Sequence, residues 1–285
     1  MSRGVQQDAN SPAPIFPRIY GTGFFIHESG IIATNRHVIE ALQDAPRHPV
    51  TNEQALSIVL NIPETRNGQQ GQRSIAIDID SCAALTSFVG SGPWFGADLP
   101  DIGFVFPKVK DVPFLRMATE DFAIRPGLPV AMAGYPLGEI PMTFLRKLSQ
   151  TMPTVRSGIV SSIFPFTGTA QPHGFMLDIL QQGGSSGSPI FLHNRPDVIG
   201  MMSSGLTDFA EIFDKDGSVT GVVRIPTNFS IAEPAFPIQF ALQQLLARHE
   251  DPRMLSQTPT LAEKMAALPG DGPASWEVFR RPLGG

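Results

Sequence analysis

The run Gly183-Gly184-Ser185-Ser186-Gly187-Ser188-Pro189 constrains this chain more than any other stretch. Glycine reaches backbone conformations closed to other residues, so glycines on both sides of Ser186 let the chain turn sharply and approach another molecule closely. Such a turn aims the amides of Gly184 and Ser186 at a developing oxyanion and presents the Ser186 hydroxyl between them. The same punctuation runs through the whole sequence. With 27 Gly and 27 Pro in 285 residues, many turns and short strands are expected, which suits β-barrels better than helix bundles.

A serine hydroxyl is a poor nucleophile until an imidazole takes its proton and a buried carboxylate fixes the tautomer of that imidazole. Of the six histidines, His27 lies in a turn, His48 beside Pro49, His193 beside Asn194 and His249 near a helix end, all solvent-facing positions. His173 remains a minor candidate for lining a cleft. His37 follows the buried-looking strand at residues 31–34, which makes it the expected base. For the carboxylate, Asp101 is followed directly by the apolar run Ile102-Gly103-Phe104-Val105-Phe106, a strand that would bury it. Its rival Asp98 reads as a loop residue, and Asp78 and Asp80 alternate with isoleucines on an outward strand face. The order His37, Asp101, Ser186 differs from the Asp, His, Ser of subtilisins and the Ser, Asp, His of α/β-hydrolases. The G-x-S-x-G elbow is also unmatched, because Ser188 stands two residues after Ser186.

Five segments in that order give the chain a resemblance to the trypsin-like serine proteases, most closely to the HtrA/Deg branch, over roughly residues 18–245. Gly21-Thr22-Gly23-Phe24 with Ile32-Ala33-Thr34-Asn35-Arg36-His37-Val38 is similar to the strand pair that leads to the family's histidine. Asp101 with its apolar followers resembles the aspartate strand. Ala133-Gly134-Tyr135-Pro136-Leu137-Gly138 and Val155-Arg156-Ser157-Gly158-Ile159-Val160-Ser161 resemble the opening of the second barrel. The loop at residues 184–189 resembles the nucleophile loop, and Val198-Ile199-Gly200-Met201-Met202 with Ile225-Pro226-Thr227-Asn228 resembles the strands behind it. Three departures stand out. Ser188 takes a usual glycine position, Gly103 replaces a larger apolar residue, and residues 139–152 form a longer link.

The resemblance implies an all-β fold of two six-stranded chymotrypsin-like β-barrels with a C-terminal helix. It implies a serine endopeptidase with His37, Asp101 and Ser186 as triad and the Gly184 and Ser186 amides as oxyanion hole. No metal or organic cofactor is needed, and extended polypeptides are the implied substrates. By alignment with the family, Leu180 falls at the base of the primary pocket, with Met202, Ser203 and Ser204 along its wall. No acidic residue stands at that base, so small or medium apolar side chains are the expected preference; Arg224, near another wall, is expected to face outward. Ser185 occupies the position of the zymogen aspartate, so activation by a freshly cut N-terminus is not expected. Residues 139–154 are the expected place for any regulation, and homo-oligomerisation stays open. Two rivals remain: an esterase using the same machinery, and a peptide-binding or chaperone-like module with an unused triad.

Composition narrows the field. Hydrophobic residues make up 42% and charged residues 16% of the chain, a globular balance. A formal charge of -5, with no long basic cluster, argues against nucleic acid. Cys82, the single cysteine, allows no intramolecular disulfide and reads as a small buried apolar residue. The first twenty residues lack the apolar stretch of a signal peptide and no apolar run is long enough to span a bilayer, so a cytoplasmic protein without membrane contact is expected.

Along the chain, residues 1–17 read as a flexible arm, 18–124 as the first barrel with His37 and Asp101, 125–236 as the second with Ser186, and 237–285 as C-terminal helix and tail. The boundary is placed at the Arg125-Pro126-Gly127 punctuation. Residues 23–26 and 31–34 predict a hairpin, residues 38–42 a short helical turn, and the polar residues 64–73 an exposed hairpin loop. Trp94 and Phe95 are expected in a loop bordering the cleft. Ile238, Leu242, Leu245 and Leu246 form an amphipathic stripe. Thr258-Pro259 reads as a helix start followed by the stripe Leu261, Met265, Leu268. The stretch after Glu250 is shorter than the ~50 residues of a small domain, so no PDZ domain is expected there.

Overall fold

The computed structural model describes residues 2–3, 18–46, 56–66, 69–86, 99–119, 121–138, 152–169, 171–248 and 258–267. The expected hairpin forms from β3 (Phe24–Phe25) and β4 (Ile32–Thr34). Its turn is closed by Ile26 N–H to Ile31 O at 3.0 Å and Gly30 N–H to His27 O at 3.1 Å. β4 pairs onward with β7 (Gly103–Pro107), so the strand before His37 and the strand after Asp101 are direct neighbours. This pairing brings two residues far apart in sequence to one end of one sheet.

The first sheet also contains β1 (Ser2–Arg3), β2 (Arg18–Ile19), β5 (Leu56–Arg66) and β6 (Gln69–Ala84), in the order β2-β1-β5-β6-β7-β4-β3. Among the described residues it is a half-barrel of seven strands where six were expected, and with the ring of the second half it makes the expected all-β double-barrel fold. The expected N-terminal arm is corrected at Ser2–Arg3, which pair with both β2 and β5. A second correction concerns residues 64–73. Instead of a loop, β5 and β6 stay in register from Ser57↔Asp78 to Arg66↔Gln69, a long ribbon. Backbone pairing carries a two-stranded ribbon past the point where the sequence ceases to be apolar, so polarity alone did not mark a turn there.

The second half closes into a six-stranded barrel of order β10-β13-β12-β11-β8-β9. Its strands are β8 (Pro129–Gly134), β9 (Thr154–Phe164), β10 (Gly174–Leu177), β11 (Pro189–Leu192), β12 (Val198–Phe213) and β13 (Val219–Pro234). A core of Val130, Met132, Val160, Phe175, Leu177, Ile190, Ile199 and Met202 fills it. β12 and β13 pair out to Phe213↔Val219, forming a ribbon whose outer part exposes Phe209, Ile212, Phe213 and Val222.

Three helices complete the fold among the described residues. α1 (Arg36–Gln43) places Val38, Ile39 and Leu42 inward, one apolar face at helical spacing. It packs on β7 where Gly103 has no side chain: a Cβ there would lie 2.5 Å from Ile39 Cγ1 and 3.1 Å from Asn35 O. This explains a glycine where a larger apolar residue was expected. α2 (Ala235–Arg248) buries Ile238 and Ala241 against Phe24, Ala33 and Phe104 of the first sheet and Val198 and Met201 of the second. It therefore ties together the two sheets that carry the site. α3 (Leu261–Ala266) starts at Thr260, not at the expected Thr258-Pro259. Glu263 stands three residues after Thr260, and the two complete a reciprocal capping box, whereas the residue three after Thr258 is Leu261, which has no carboxylate to close one. The segment is fastened to the first sheet by Lys110 N–H to Pro259 O at 3.1 Å and Leu261 N–H to Lys110 O at 2.9 Å. Leu268, His48, Trp94, Phe95, Asp98 and His249 lie outside the described residues.

Candidate active site

His37 is the second residue of α1, and Asn35 precedes the helix with extended backbone. Asn35 Nδ2 donates to Asp101 O at 3.0 Å, which holds the helix start against the segment entering β7. Asp101 then accepts from the His37 backbone N–H through Oδ1 at 3.1 Å and pairs with His37 Nδ1 through Oδ2 at 2.7 Å. Two contacts to one carboxylate fix both the position and the face of the imidazole. The His37 side chain is 46% exposed and that of Asp101 18% exposed, a buried anion behind an accessible ring. Burial raises the pKa of Asp101, but the His37 ring and backbone N–H, together with the Ser203 hydroxyl, outweigh it and hold the carboxyl below its ordinary range.

Ser203 is the next partner. Its Oγ donates to Asp101 Oδ2 at 2.8 Å, and its carbonyl accepts the Ser186 hydroxyl at 3.3 Å. Ser203, expected as a pocket wall, bonds both the Asp101 carboxylate and the Ser186 hydroxyl. On the other side of Asp101, its backbone N–H donates to Glu233 Oε1 at 3.1 Å. Burial, and then the nearby Asp101 charge, push the Glu233 carboxyl up to about 7, although the hydrogen bond from Asp101 works against them.

The nucleophile loop is pinned by Thr22. Thr22 N–H donates to Ser186 O at 2.8 Å, and Thr22 Oγ1 donates to Gly184 O at 2.7 Å while accepting from Tyr135 N–H at 3.1 Å. Thr34 Oγ1 in turn donates to Thr22 O at 2.8 Å, so the first sheet holds the loop of the second barrel. Gly184 and Gly187 sit at φ 89° and 84°, a region that L side chains enter only with strain. A Cβ at Gly184 would meet the Tyr135 carbonyl, and one at Gly187 the Thr22 carbonyl. Among the described residues no hydrogen bond uses the Gly184 or Ser186 N–H, whereas Ser185 N–H donates to Gln182 O and Gly187 N–H to Met202 O. Two adjacent unengaged donors are what an oxyanion requires.

Ser188 is fully buried against Gly134, where a Cβ would collide with its Oγ. The serine in place of a usual glycine is accommodated by the missing side chain across from it. Ser186 itself is only 8% exposed, more enclosed than expected. Gln181 Nε2 donates to its hydroxyl at 3.3 Å. No hydrogen bond joins Ser186 to His37 in this arrangement, since the hydroxyl is directed to Ser203 O.

Leu180 is half-buried six residues before Ser186, and its carbonyl accepts from Arg156 Nη1 at 2.7 Å while Arg156 Nη2 donates to Gln182 Oε1 at 2.8 Å. Met202, expected along the pocket wall, is fully buried in the barrel core; side chains alternate across a strand, so Ser203 faces the other way, and a register slip between Met202 and Ser204 leaves Ser204 exposed. Arg224 lies on the outer ribbon with its guanidinium 5.6 Å from the Phe209 ring centroid. His173 directly precedes β10 and donates its N–H to Phe164 O, and His27 pairs with Ser29 Oγ at 2.8 Å. Burial pushes the Cys82 thiol up to about 11, an unreactive state. Sequence reasoning missed the roles of Thr22, Arg156, Gln181 and Glu233. For Glu233 a signal existed, a lone acid within the apolar run at residues 231–238.

The trypsin-like peptidase domain family matches residues 21–201. No curated relative matches the chain. Among solved structures, the HtrA-type protease AlgW with decapeptide aligns at 17% identity and TM-score 0.44, over 81% of this chain and 52% of its own. The serine endoprotease from Yersinia pestis aligns at 15% identity and TM-score 0.45, over 80% of this chain and 57% of its own. The chain spans about half the length of these structures.

Proposed function

The chain belongs to the trypsin-like peptidase domain family, and from that premise we propose that it is a serine endopeptidase working through His37, Asp101 and Ser186. The observation that carries the reading is the 2.7 Å contact between His37 Nδ1 and Asp101 Oδ2, which leaves the other ring nitrogen available as a base. On substrate binding the Ser186 hydroxyl turns from Ser203 O towards that nitrogen, a rearrangement in keeping with the long catalytic contacts common in ligand-free enzymes. Ser186 Oγ attacks the scissile carbonyl as its proton passes to His37, and Asp101 steadies the imidazolium. The Gly184 and Ser186 amides receive the oxyanion, and His37 returns the proton to the leaving amine. Water then repeats the sequence on the acyl-enzyme.

Extended polypeptides are the substrates in this reading, entering between a first half (18–124) and a second half (125–236). The apolar floor at Leu180, with the Arg156 cation held on its carbonyl, favours small or medium apolar side chains before the cleaved bond. A fluorophosphonate probe tests the assignment: mass spectrometry is expected to place the adduct on Ser186. An adduct on Ser185 or Ser188, or none in folded protein, overturns it.

A further inference from the structure

Beside the triad lies a second carboxylate with no part in the steps above. Glu233 is the penultimate residue of β13, opposite Met201 of β12 and two residues before α2 begins. Its Oε1 accepts from the Asp101 backbone N–H at 3.1 Å. Asp101 is thus held on three sides, by Asn35 at its carbonyl, by Glu233 at its N–H, and by His37 and Ser203 at its carboxylate.

We propose that Glu233 is a positioning residue for the triad, holding Asp101 through its backbone and, when ionised, placing a second negative charge beside the Asp101 carboxylate. The inference rests on the protease reading for its kinetic consequence, though not for its electrostatic one. A charge that favours the imidazolium acts on the state that forms as Ser186 attacks, so it speeds the chemical step rather than substrate binding. The charged groups acting on Glu233 are Asp101, which opposes a second anion, and Arg36 at the start of α1, which favours it. With its carboxyl raised to about 7, Glu233 changes charge within the pH range where such an enzyme works. The hydrogen bond to Asp101 does not depend on that charge, because a protonated carboxyl keeps an acceptor oxygen. Position and charge can therefore be separated by substitution.

Glu233→Gln keeps the acceptor and removes the charge; Glu233→Leu removes both. Two measurements are made on each folded variant: the pH dependence of the Asp101 amide NMR shift, which reports the charge of the carboxyl it donates to, and kcat and KM on a peptide substrate across pH. The wild-type amide shift is expected to step near pH 7, and that step should vanish in Glu233→Gln. The ratio of wild-type to Glu233→Gln kcat should rise from near one below about pH 6 to roughly three- to tenfold above about pH 8, with KM unchanged. Glu233→Leu should lose kcat further at every pH. An amide shift without that step, together with a pH-independent ratio, overturns the charge role, and wild-type kcat in Glu233→Leu overturns the positioning role. The amide titration needs no turnover, so a wild-type protein without hydrolysis sinks the protease reading while the amide step alone decides this one.

Discussion

Ser203 reaches both ends of the relay: its hydroxyl donates to Asp101 Oδ2 at 2.8 Å and its carbonyl accepts from Ser186 Oγ at 3.3 Å. The first contact adds a donor to a half-buried anion, and the second directs the Ser186 hydroxyl away from His37. Removing the hydroxyl leaves Asp101 its two contacts from His37, so Ser203→Ala is expected to lower kcat only about three- to tenfold. Asp101→Asn cannot hold the ring tautomer and should lower kcat by roughly four orders of magnitude. Steady-state kinetics on the two variants beside Asp98→Asn check the ranking. A larger loss at Asp98 would displace Asp101 from its role.

Ser186→Ala is expected to abolish hydrolysis while leaving the melting transition nearly in place. Both hydrogen bonds of the hydroxyl are long, at 3.3 Å, so their loss should cost at most about 1 kcal/mol of stability. The paired measurement is peptide turnover and a thermal melt. Retention of more than about a tenth of the activity would place the nucleophile elsewhere.

Thr22→Val removes the hydroxyl that bridges Gly184 O and Tyr135 N–H while keeping the side-chain volume. Thr22 is 5% exposed, so two buried backbone groups lose their partner, at a cost of about 1–3 kcal/mol. Because the proposed mechanism takes one of its two oxyanion donors from Gly184, kcat should fall at least tenfold with a smaller change in KM. Wild-type kcat together with the expected loss of stability would show that the clamp supports the fold and not the chemistry.

Glu233 also gives the stability a pH dependence of definite sign. Its carboxyl is raised from 4.5 to about 7, so between those values the folded chain holds a proton that the unfolded chain has released. That stabilising contribution is present below about 4.5 and is lost as pH rises through about 7. Asp101 acts oppositely, since its lowered carboxyl favours the fold above its ordinary range and less as pH falls. In urea melts at pH 5 and pH 8, Glu233→Gln is expected to lose less stability over that interval than wild type. An equal pH dependence in both proteins would contradict the environment assigned to Glu233.

What could be read from the sequence followed from local chemistry. Glycines around Ser186 required a tight loop, the apolar run after Asp101 required a buried strand, and the stripe from Ile238 required an amphipathic helix. The roles of Thr22 and Arg156 were illegible because each acts across a tertiary contact, and the lone acid that marked Glu233 in its apolar run did not name Asp101 as its partner. Thr22 bonds residues more than a hundred positions away, and nothing in its own neighbourhood announces them. Met202 was misread for a geometric reason, since alternation along β12 sends it into the core and its neighbour Ser203 to Asp101. Ser188 and Gly103 looked like departures because the space that admits them belongs to Gly134 and Ile39.

Cleavage is expected after Val, Ala, Leu or Met and hardly at all after Lys or Arg. The acids that might have reached the pocket from outside are engaged elsewhere: Asp178 Oδ1 accepts from Ile159 N–H at 2.6 Å, and Asp208 Oδ1 accepts from Phe209 N–H at 2.7 Å. An ammonium buried against Leu180 would find no carboxylate to replace its lost hydration. It would also meet the Arg156 guanidinium fixed on the Leu180 carbonyl. Differences of one methylene are worth only about 1–3 kcal/mol, so selection among apolar residues should be blurred while rejection of cations is sharp. Proteome-wide mapping of cleavage sites reads this directly. A profile dominated by Lys or Arg would remove Leu180 from the pocket floor, and Arg156→Ala should relax the rejection of cations if the guanidinium contributes to it.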